Sequence, residues 1–432
     1  MTPVAFNDPR FWVLTAAASL LALTLFLSRV EREQKIYDVF AVVDITGSML
    51  VRDMNVGGRP VTRLDAAKDA LTQLASDLPC QSRLGLGVFT ERRSFVLFNP
   101  VEVCGDFAPL EVAIRQLDWR MAWEGDSMVT KGLHHAIALA AAAHGKAILC
   151  EKPLGMNVVQ CREMVDAVKK AKVVNMVCHN YRRIPALELA KQMIERGDLG
   201  DRIYHYRARY AQDWIADPNF PMVWRLQARI AGLGTLGCIG SHIIDIGRFL
   251  VGEFKEVSGV METFIKERPV LAETGDGLKA KAGRTMGKVT VEDAVSWIGR
   301  FKNGAIASME ATRFAYGRKN HITIEINGSK GSLVFDFEDM NRLKFYSAED
   351  PEGARGFRDI LVTEGVHPHL AAWWPPGHII GYEHTFTNAF ADFIHAVVAG
   401  KSVQPTFADG LANEEVITAI VESSKKRSWV KV

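Results

Sequence analysis

Three groups of residues in this chain could do chemistry. The first is Asp44-x-Thr46-x-Ser48, a carboxylate and two hydroxyls on a turn after the apolar run "FAVV". Hard oxygens of this kind suit Mg²⁺ or a similar ion and leave a coordination position for a partner's carboxylate; the same Thr and Ser could equally cap a following helix. The second is Lys152 in "GKAILCEKPLG", at the carboxyl end of a short apolar run, where open α/β sheets hold ligands. The third is His242 with Asp245 in "GSHIIDIG". A His titrates near neutrality, and Asp245, one helical turn on, shares its face and could orient the imidazole or bind substrate. Taken singly, a Lys after a strand is a solvated end, and a His on an apolar helix face satisfies one core hydrogen bond.

These residues need elements to hold them. "YDVFAVVDITGSM" reads as a buried parallel strand ending in a polar turn. In Thr62 to Leu78 the residues Leu64, Ala67, Leu71, Leu74 and Leu78 recur at helical spacing, and Thr62 with Asp65 can cap the start. "RLGLGVFT" and "SFVLFN" predict two strands around the charged turn "ERR", followed by a helix near 109–117 and an Ala-rich helix over about 130–144. The Ala-rich helix leads into the strand "KAILCE". This alternation predicts a doubly wound, Rossmann-like α/β layer with a parallel sheet. After Lys152 come one more helix, "NVVQCREMVDAVKKA", and one more buried strand, "KVVNMVCHN". From Tyr204 strands dominate: "IYHYRARY", "AVSWIGRF", "AIASMEATRF", "HITIEING" and "SLVFDF". In "HITIEING", Ile322, Ile324 and Ile326 face one way and Thr323 and Glu325 the other, which predicts an α+β domain with an open-faced, mostly antiparallel sheet. The last helix, in "ADGLANEEVITAIVESSKKRSW", should pack back onto one of the domains.

Composition narrows the partners. Across 432 residues the chain is 48% hydrophobic and 24% charged with net charge +2, ordinary for globular protein and without the basic surface that nucleic acid requires. Small molecules or proteins are the expected partners, and no nucleic acid. Residues 11–28, "FWVLTAAASLLALTLFLS", carry no charge between Arg10 and Arg29. As a helix they would cover about 27 Å, which predicts a transmembrane anchor; a cleaved signal is the competing reading, but no small-x-small cleavage site follows. Arg29, Arg32 and Lys35 outnumber Arg10, which weakly favours a cytoplasmic carboxyl side. Cys80, Cys104, Cys150, Cys161, Cys178 and Cys238 show no CxxC and read mostly as buried thiols. Cys80 and Cys104 flank one hairpin-like region and could pair in an oxidising compartment.

Two resemblances follow from these stretches. "FAVVDITGSM", "RLDAAKDAL", "LGLGVFTERRSFVLFNP" and "LDWRMAWEGDSMVTKGL" resemble the von Willebrand factor A family, and most of all its bacterial membrane-anchored members, over about residues 1–132. The resemblance implies a metal-ion-dependent adhesion site of Asp44, Thr46 and Ser48, with Ser127 or Thr130 as its separate hydroxyl. The family's last metal Asp, on a "TDG" turn, has no counterpart in "LCEKPLG", so Mg²⁺ would be held weakly. From about His134 to the end, "HAIALAAAAHGKAILCEKPLG", "CHNYRRIPALELAKQMIERGDLG", "VWRLQARIAGLGTLGCIGSHIIDIGRFLVGE" and "WWPPGHIIGYEHTFTNAFADFI" resemble the Gfo/Idh/MocA family of NAD(P)-dependent oxidoreductases. That resemblance implies Lys152 as the hydrogen-bond donor to a reacting hydroxyl, His242 as general acid/base and Asp245 beside it. It further implies Glu151, Lys152, Asn180, Arg182, Trp224 and Arg225 at a bound NAD or NADP, a sugar, polyol or related small alcohol as substrate, and a homo-oligomer through the carboxyl-terminal sheet. Cys238 stands where that family commonly has Asp, and Ala228 where a Lys is common.

No phosphate-binding fingerprint is legible. Gly232-Leu-Gly234-Thr-Leu-Gly237 spells GxGxxG, but it follows the helix-like "WRLQARIA" with no strand before it. "GLG" at Gly85 to Gly87 lies inside a strand. The chain therefore reads as a hybrid of von Willebrand A and Rossmann halves followed by the sheet domain. The expected domains are residues 1–35 as anchor and flank, 36–132 as a partial von Willebrand A domain, 133–180 as the end of a dinucleotide-binding domain, and 181–432 as the substrate and oligomerisation domain. The expected function is a Gfo/Idh/MocA-type oxidoreductase, inactive if nothing replaces the missing loop. The alternative is a membrane-anchored, metal-dependent protein-binding module. The expected localisation is membrane-anchored, with the soluble part cytoplasmic if catalytic.

Overall fold

A computed structural model describes residues 36–44, 47–50, 52, 54–56, 59–90, 93–117, 138–139, 141–271 and 282–432. The chain divides into two units. One comprises the described parts of Met1–Val43, Asp65–Gly87 and Val96–Leu117, and the other those of Asp44–Leu64, Val88–Phe95 and Asp118–Val432.

In the first unit, strands β1 (Asp38–Asp44), β4 (Arg83–Thr90) and β5 (Arg93–Glu102) form one sheet in the order β1-β4-β5. The short antiparallel hairpin β2 (Met54–Val56) and β3 (Arg59–Val61) belongs to the second unit. Leu84 and Leu86 of β4 are fully buried, as are Leu110 and Ile114, four residues apart on helix α2 (Phe107–Arg115). Helix α1 (Arg63–Asp77) starts directly after Thr62, where the sequence expects a cap, and Asp69 on it pairs with Arg115 at 2.8 Å. Cys80 and Cys104 are joined in a disulfide with Cα atoms 5.3 Å apart, so the pairing raised only as an option from sequence is the one found. Glu102 fastens the same turns, accepting from the N–H of Gln81 at 2.6 Å and of Gly105 at 2.5 Å.

The second unit begins its described α/β part with β6 (Ile148–Glu151) and β7 (Asn175–Cys178), paired in parallel and connected by helix α3 (Val158–Ala171). Cys161, Met164, Val165 and Val168 fill one face of α3, and Asn157 caps its start by accepting from the N–H of Gln160 at 3.0 Å. Helix α4 (Pro185–Arg196) follows, then the large sheet: β8 (Ile203–Ala211), β9 (Phe254–Glu262), β12 (Ala294–Phe301), β13 (Ile306–Thr312), β14 (His321–Gly328), β15 (Gly331–Asp336), β16 (Arg342–Ser347), β17 (Arg358–Leu361) and β18 (Val430–Lys431). A separate hairpin is made by β10 (Glu267–Leu271) and β11 (Ala282–Lys288). The nine strands lie in the order β17-β16-β15-β14-β8-β13-β12-β9-β18, and β8 with β13 is the parallel pair. Ile322, Ile324 and Ile326 point into the core as their alternation predicts, while Thr323 and Glu325 line an open-faced hollow of about 660 Å³. Helix α5 (Ser241–Leu250) lies under the buried face, where Tyr206 donates to the carbonyl of Ile243 at 2.8 Å and its ring leaves no room for a side chain at Gly247. Helix α6 (Tyr382–Ala399) precedes α7 (Phe407–Lys426), which packs back onto β9 and α3. A side chain at Gly410 of α7 would meet Leu154 at 2.8 Å, so the turn after Lys152 is pressed directly on this helix.

The membrane-anchored localisation is corrected. Among the described residues no helix is long and apolar enough to cross a membrane; α7, at 20 residues, carries Asp409, Glu414, Glu415, Glu422, Lys425 and Lys426. Residues 11–28, on which that expectation rested, lie outside the described residues.

Titration of the denatured, unreduced chain with DTNB should count four thiols, those of Cys150, Cys161, Cys178 and Cys238, and six after reduction. Closing the 24-residue separation should stabilise the first unit by about 3 kcal/mol, read as a lower melting temperature under reducing conditions.

Candidate active site

Lys152 follows the last residue of β6, and its peptide bond to Pro153 is cis. Its ammonium nitrogen donates to the carbonyl of Cys238 at 2.5 Å, and its backbone N–H to the carboxylate of Glu151 at 3.1 Å. A cavity of about 200 Å³ opens at this point, lined by Lys152, Trp224, Arg225, Cys238, Arg313 and Glu414 with apolar Met156 and Leu233. The guanidinium of Arg225 covers the Trp224 ring at 4.3 Å. Burial lowers the Lys152 pKa, with Cys238 and Glu151 opposing and Arg313 and Arg225 adding to the shift. Burial also pushes Glu414 up to about 8, so it is protonated at neutral pH.

Cys238 belongs to a π-helical turn, Leu236–Gly240, that runs into α5. Such turns recur at functional sites because they re-aim backbone carbonyls, and this one offers the Cys238 carbonyl to Lys152. Burial raises the Cys238 thiol, but Arg313, Lys152 and Arg225 pull it down by more, leaving it below its ordinary range. The approach to this turn is the literal GxGxxG. Its N–H groups are already used: Glu292 accepts from Gly234 at 2.9 Å and from Leu236 at 2.8 Å. A Cβ on Gly234 would lie 2.2 Å from the Glu292 carbonyl, so this glycine serves close packing rather than a phosphate.

His242 is buried on the first turn of α5, its ring 4.6 Å from that of Tyr181 and 6.2 Å from that of His179. It does not line the cavity. Burial, with Lys152 and His179 adding, holds its pKa well below the ordinary value, so it is neutral. Asp245 does not orient it. Both Asp245 oxygens are taken by Arg182, at 2.8 Å from Nε and 2.7 Å from Nη2. His179 Nδ1 stands 3.7 Å from Asp245, beyond hydrogen-bond reach, and burial pushes His179 down to about 4.

The expected cofactor contacts therefore separate. Trp224, Arg225 and Lys152 share one cavity, and Glu151 is exposed at its strand end. Arg182 is closed in an ion pair, and Asn180 is buried, donating to Thr385 at 2.8 Å. Of the expected metal ligands, Thr46 and Ser127 lie outside the described residues, as do the side chains of Asp44, at the end of β1, and Ser48, in the turn Gly47–Leu50. The Mg²⁺ expectation therefore has no support. Sequence reasoning missed Arg313, Glu292 and Glu414. A signal for Arg313 existed: it continues the buried phase of Met309 and Ala311 on β13, where a charge must have a reason.

Comparison with known proteins fits this geometry. A model of the GFO/IDH/MocA C-terminal domain matches residues 187–334, and one described as oxidoreductase family, NAD-binding Rossmann fold matches residues 127–179. A von Willebrand factor type A domain model matches residues 39–150 only weakly. Levoglucosan dehydrogenase of Pseudarthrobacter phenanthrenivorans is 46% identical over 324 residues, 73% of this chain and 83% of that one. A 1,5-anhydro-D-fructose reductase of Ensifer adhaerens is 31% identical over 48% of this chain and 54% of its own. Among solved structures, an oxidoreductase domain protein from Kribbella flavida superposes with TM-score 0.69 at 40% identity, covering 92% of this chain and 99% of that one. Levoglucosan dehydrogenase in complex with NADH and levoglucosan superposes with TM-score 0.67 at 37% identity and the same coverage. The fold is thus a Rossmann-like α/β oxidoreductase with a large, mostly antiparallel sheet, and neither the von Willebrand hybrid nor a membrane-anchored module is supported.

His179 gives a pH test. Its folded pKa of about 4 lies below the ordinary 6.5, so its contribution is present above 6.5 and is lost as pH falls through 4. Thermal melts from pH 7 to pH 4 should lose stability on the order of 3 kcal/mol more in the parent than in His179→Gln. Parallel curves would show that His179 does not titrate in this way.

Proposed function

This chain belongs to the Gfo/Idh/MocA family of oxidoreductases, and on that footing we propose that it oxidises a secondary hydroxyl of a sugar or polyol with NAD at the cavity bounded by Lys152. The observation that carries the reading is Lys152 itself. Its ammonium is held by the Cys238 carbonyl on the wall of a cavity of about 200 Å³, one helical turn before His242.

Oxidising a carbinol removes a hydride from carbon and a proton from oxygen. A bound NAD, held beside Lys152, Trp224 and Arg225, would supply the hydride acceptor. Lys152 hydrogen-bonds the hydroxyl oxygen and stabilises the alkoxide that develops there; burial strengthens this charge interaction and lowers the ammonium's own pKa. We assign the proton to His242, which lies behind the cavity wall next to Lys152 and so must be reached past the Lys152 ammonium. His242 is kept neutral, the form that can accept one, and lies close enough to Lys152 for that charge to lower its pKa further. Asp245 with Arg182 positions α5, and so both His242 and the turn carrying Cys238.

The donors around the cavity suit the nicotinamide end of NAD, with Lys152 at the strand end and Trp224 and Arg225 beside it. NAD is favoured because levoglucosan dehydrogenase was solved with NADH. The pyrophosphate end has no assigned glycine turn among the described residues, since Glu292 fills the one fingerprint. A pyranose-sized substrate is favoured by the 46% identity to levoglucosan dehydrogenase. The open sheet face, where Val260 and Ile298 are exposed, is the surface we assign to a second copy; a sedimentation mass of one chain would remove that assignment.

Full-length protein titrated with NADH should show energy transfer from its tryptophans. Lys152→Met should lower kcat about 100-fold or more while weakening NADH binding by far less, since Trp224 and Arg225 remain. No binding at millimolar NADH would overturn the dehydrogenase reading.

A further inference from the structure

Among the described residues of the second unit three arginines are fully buried, and two have conventional partners. Arg182 pairs with Asp245. Arg268 donates to the carbonyls of Ile215, Asp217 and Phe220. Arg313 is different. It is 1% exposed, its Nε and Nη1 have no partner, and it makes no ion pair with any described carboxylate. Its guanidinium rests 5.1 Å over the Trp214 ring and borders the cavity beside Lys152 and Arg225. The Arg313 side chain hydrogen-bonds that of Cys238, which leaves Nε and Nη1 as the costly unsatisfied donors of a buried guanidinium whose planar fork matches a carboxylate or phosphate. The lining offers no counter-charge. Its one carboxyl, Glu414, is kept protonated by burial at neutral pH, and Glu151 faces Lys152 from outside the lining.

We propose that this cavity selects sugars bearing an oxyanion, a carboxylate or a phosphate, with the anion held by Arg313 while the reacting hydroxyl lies on Lys152. This rests on the reading of the cavity as the substrate pocket of a dehydrogenase. Cys238 is the specificity-determining position: its side chain hydrogen-bonds Arg313 and is drawn by Arg313 and Lys152 below its ordinary pKa, yet one sulfur gives their donors fewer and weaker acceptors than the two oxygens of a carboxylate would.

The test uses the full chain with D-glucuronate, D-glucose 6-phosphate and D-glucose, each assayed with NAD and also by calorimetry without cofactor. One of the two anionic sugars should exceed D-glucose by about tenfold or more in kcat/KM, and which one does so identifies the oxyanion. Cys238→Asp should remove that preference by a similar factor. Arg313→Gln should do the same; if it does not fold, Cys238→Asp and Arg225→Gln carry the comparison. Equal or better use of D-glucose, or a preference unchanged in Cys238→Asp, would overturn the proposal. So would competition by inorganic pyrophosphate against NADH but not against the sugar, which would assign Arg313 to the cofactor. If NADH does not bind, the dehydrogenase reading fails alone. Calorimetric binding of an anionic sugar, weakened in Cys238→Asp, would then still support the anion site, and its absence would end that too.

Discussion

The buried fork between Arg182 and Asp245 is the constraint from which the candidate site hangs. Arg182 comes from the turn after β7, Asp245 from α5, and Arg182 also reaches Asp409 on α7 at 3.4 Å. Three elements far apart in sequence are thereby held in one arrangement. Arg248 adds to it, donating to the Asp409 carbonyl at 2.8 Å and pairing with Glu253. Charges this deep are tolerated only in good geometry with their remaining donors satisfied, and removing one partner is far more costly than the pair is stabilising. Such a lock is intolerant of small displacements. That suits a helix whose first turn must keep His242 beside Tyr181 and present the Cys238 carbonyl to Lys152.

Desolvation then sets the chemistry of what the lock holds. The same burial that leaves His242 and His179 neutral keeps Glu414 protonated and weakens the hold of Lys152 on its proton. Each group is moved toward its uncharged form, as a medium of low polarity requires. Cys238 goes the other way, since three cations outweigh its burial. The cavity lining is therefore short of charged carboxylates, Glu292 and Asp293 acting on Arg313 from outside it, and this imbalance is a property of the cluster rather than of any single residue.

How much of this could be read from the sequence depended on the range of the interaction. The alternation of Ile322, Ile324 and Ile326 is local, so the open-faced sheet was legible, and so was the last helix. The strands β16 and β17 carry the same kind of alternation but more weakly, with charged Arg342, Lys344, Arg358 and Asp359 among few residues, and were not singled out. The role of Arg182 was beyond local reading: an Arg in "HNYRR" looks equally suited to a nucleotide, and only the approach of Asp245, 63 residues away, decides. Asp245 failed for the complementary reason. Its spacing from His242 on the helix was right, but a side chain sharing a face still chooses the stronger partner, and a guanidinium outcompetes a neutral imidazole.

The literal GxGxxG shows the same limit from another side. A phosphate at a helix N-terminus needs backbone N–H groups that are free and a surface the ligand can approach. The glycines from Gly232 to Gly237 satisfy the spelling, yet Glu292 supplies the anion from within the protein, accepting from Gly234 and Leu236. The approach of the Glu292 carbonyl to Gly234 explains why that glycine cannot carry a side chain. Glu292, itself raised in pKa by burial, is stabilised there by the two N–H groups, with Arg313 nearby also favouring its charged form. A helix terminus that in another setting would receive a nucleotide here fixes the entry to α5, and an internal carboxylate makes the exchange possible. What a glycine pattern means is thus set by which anion reaches it first.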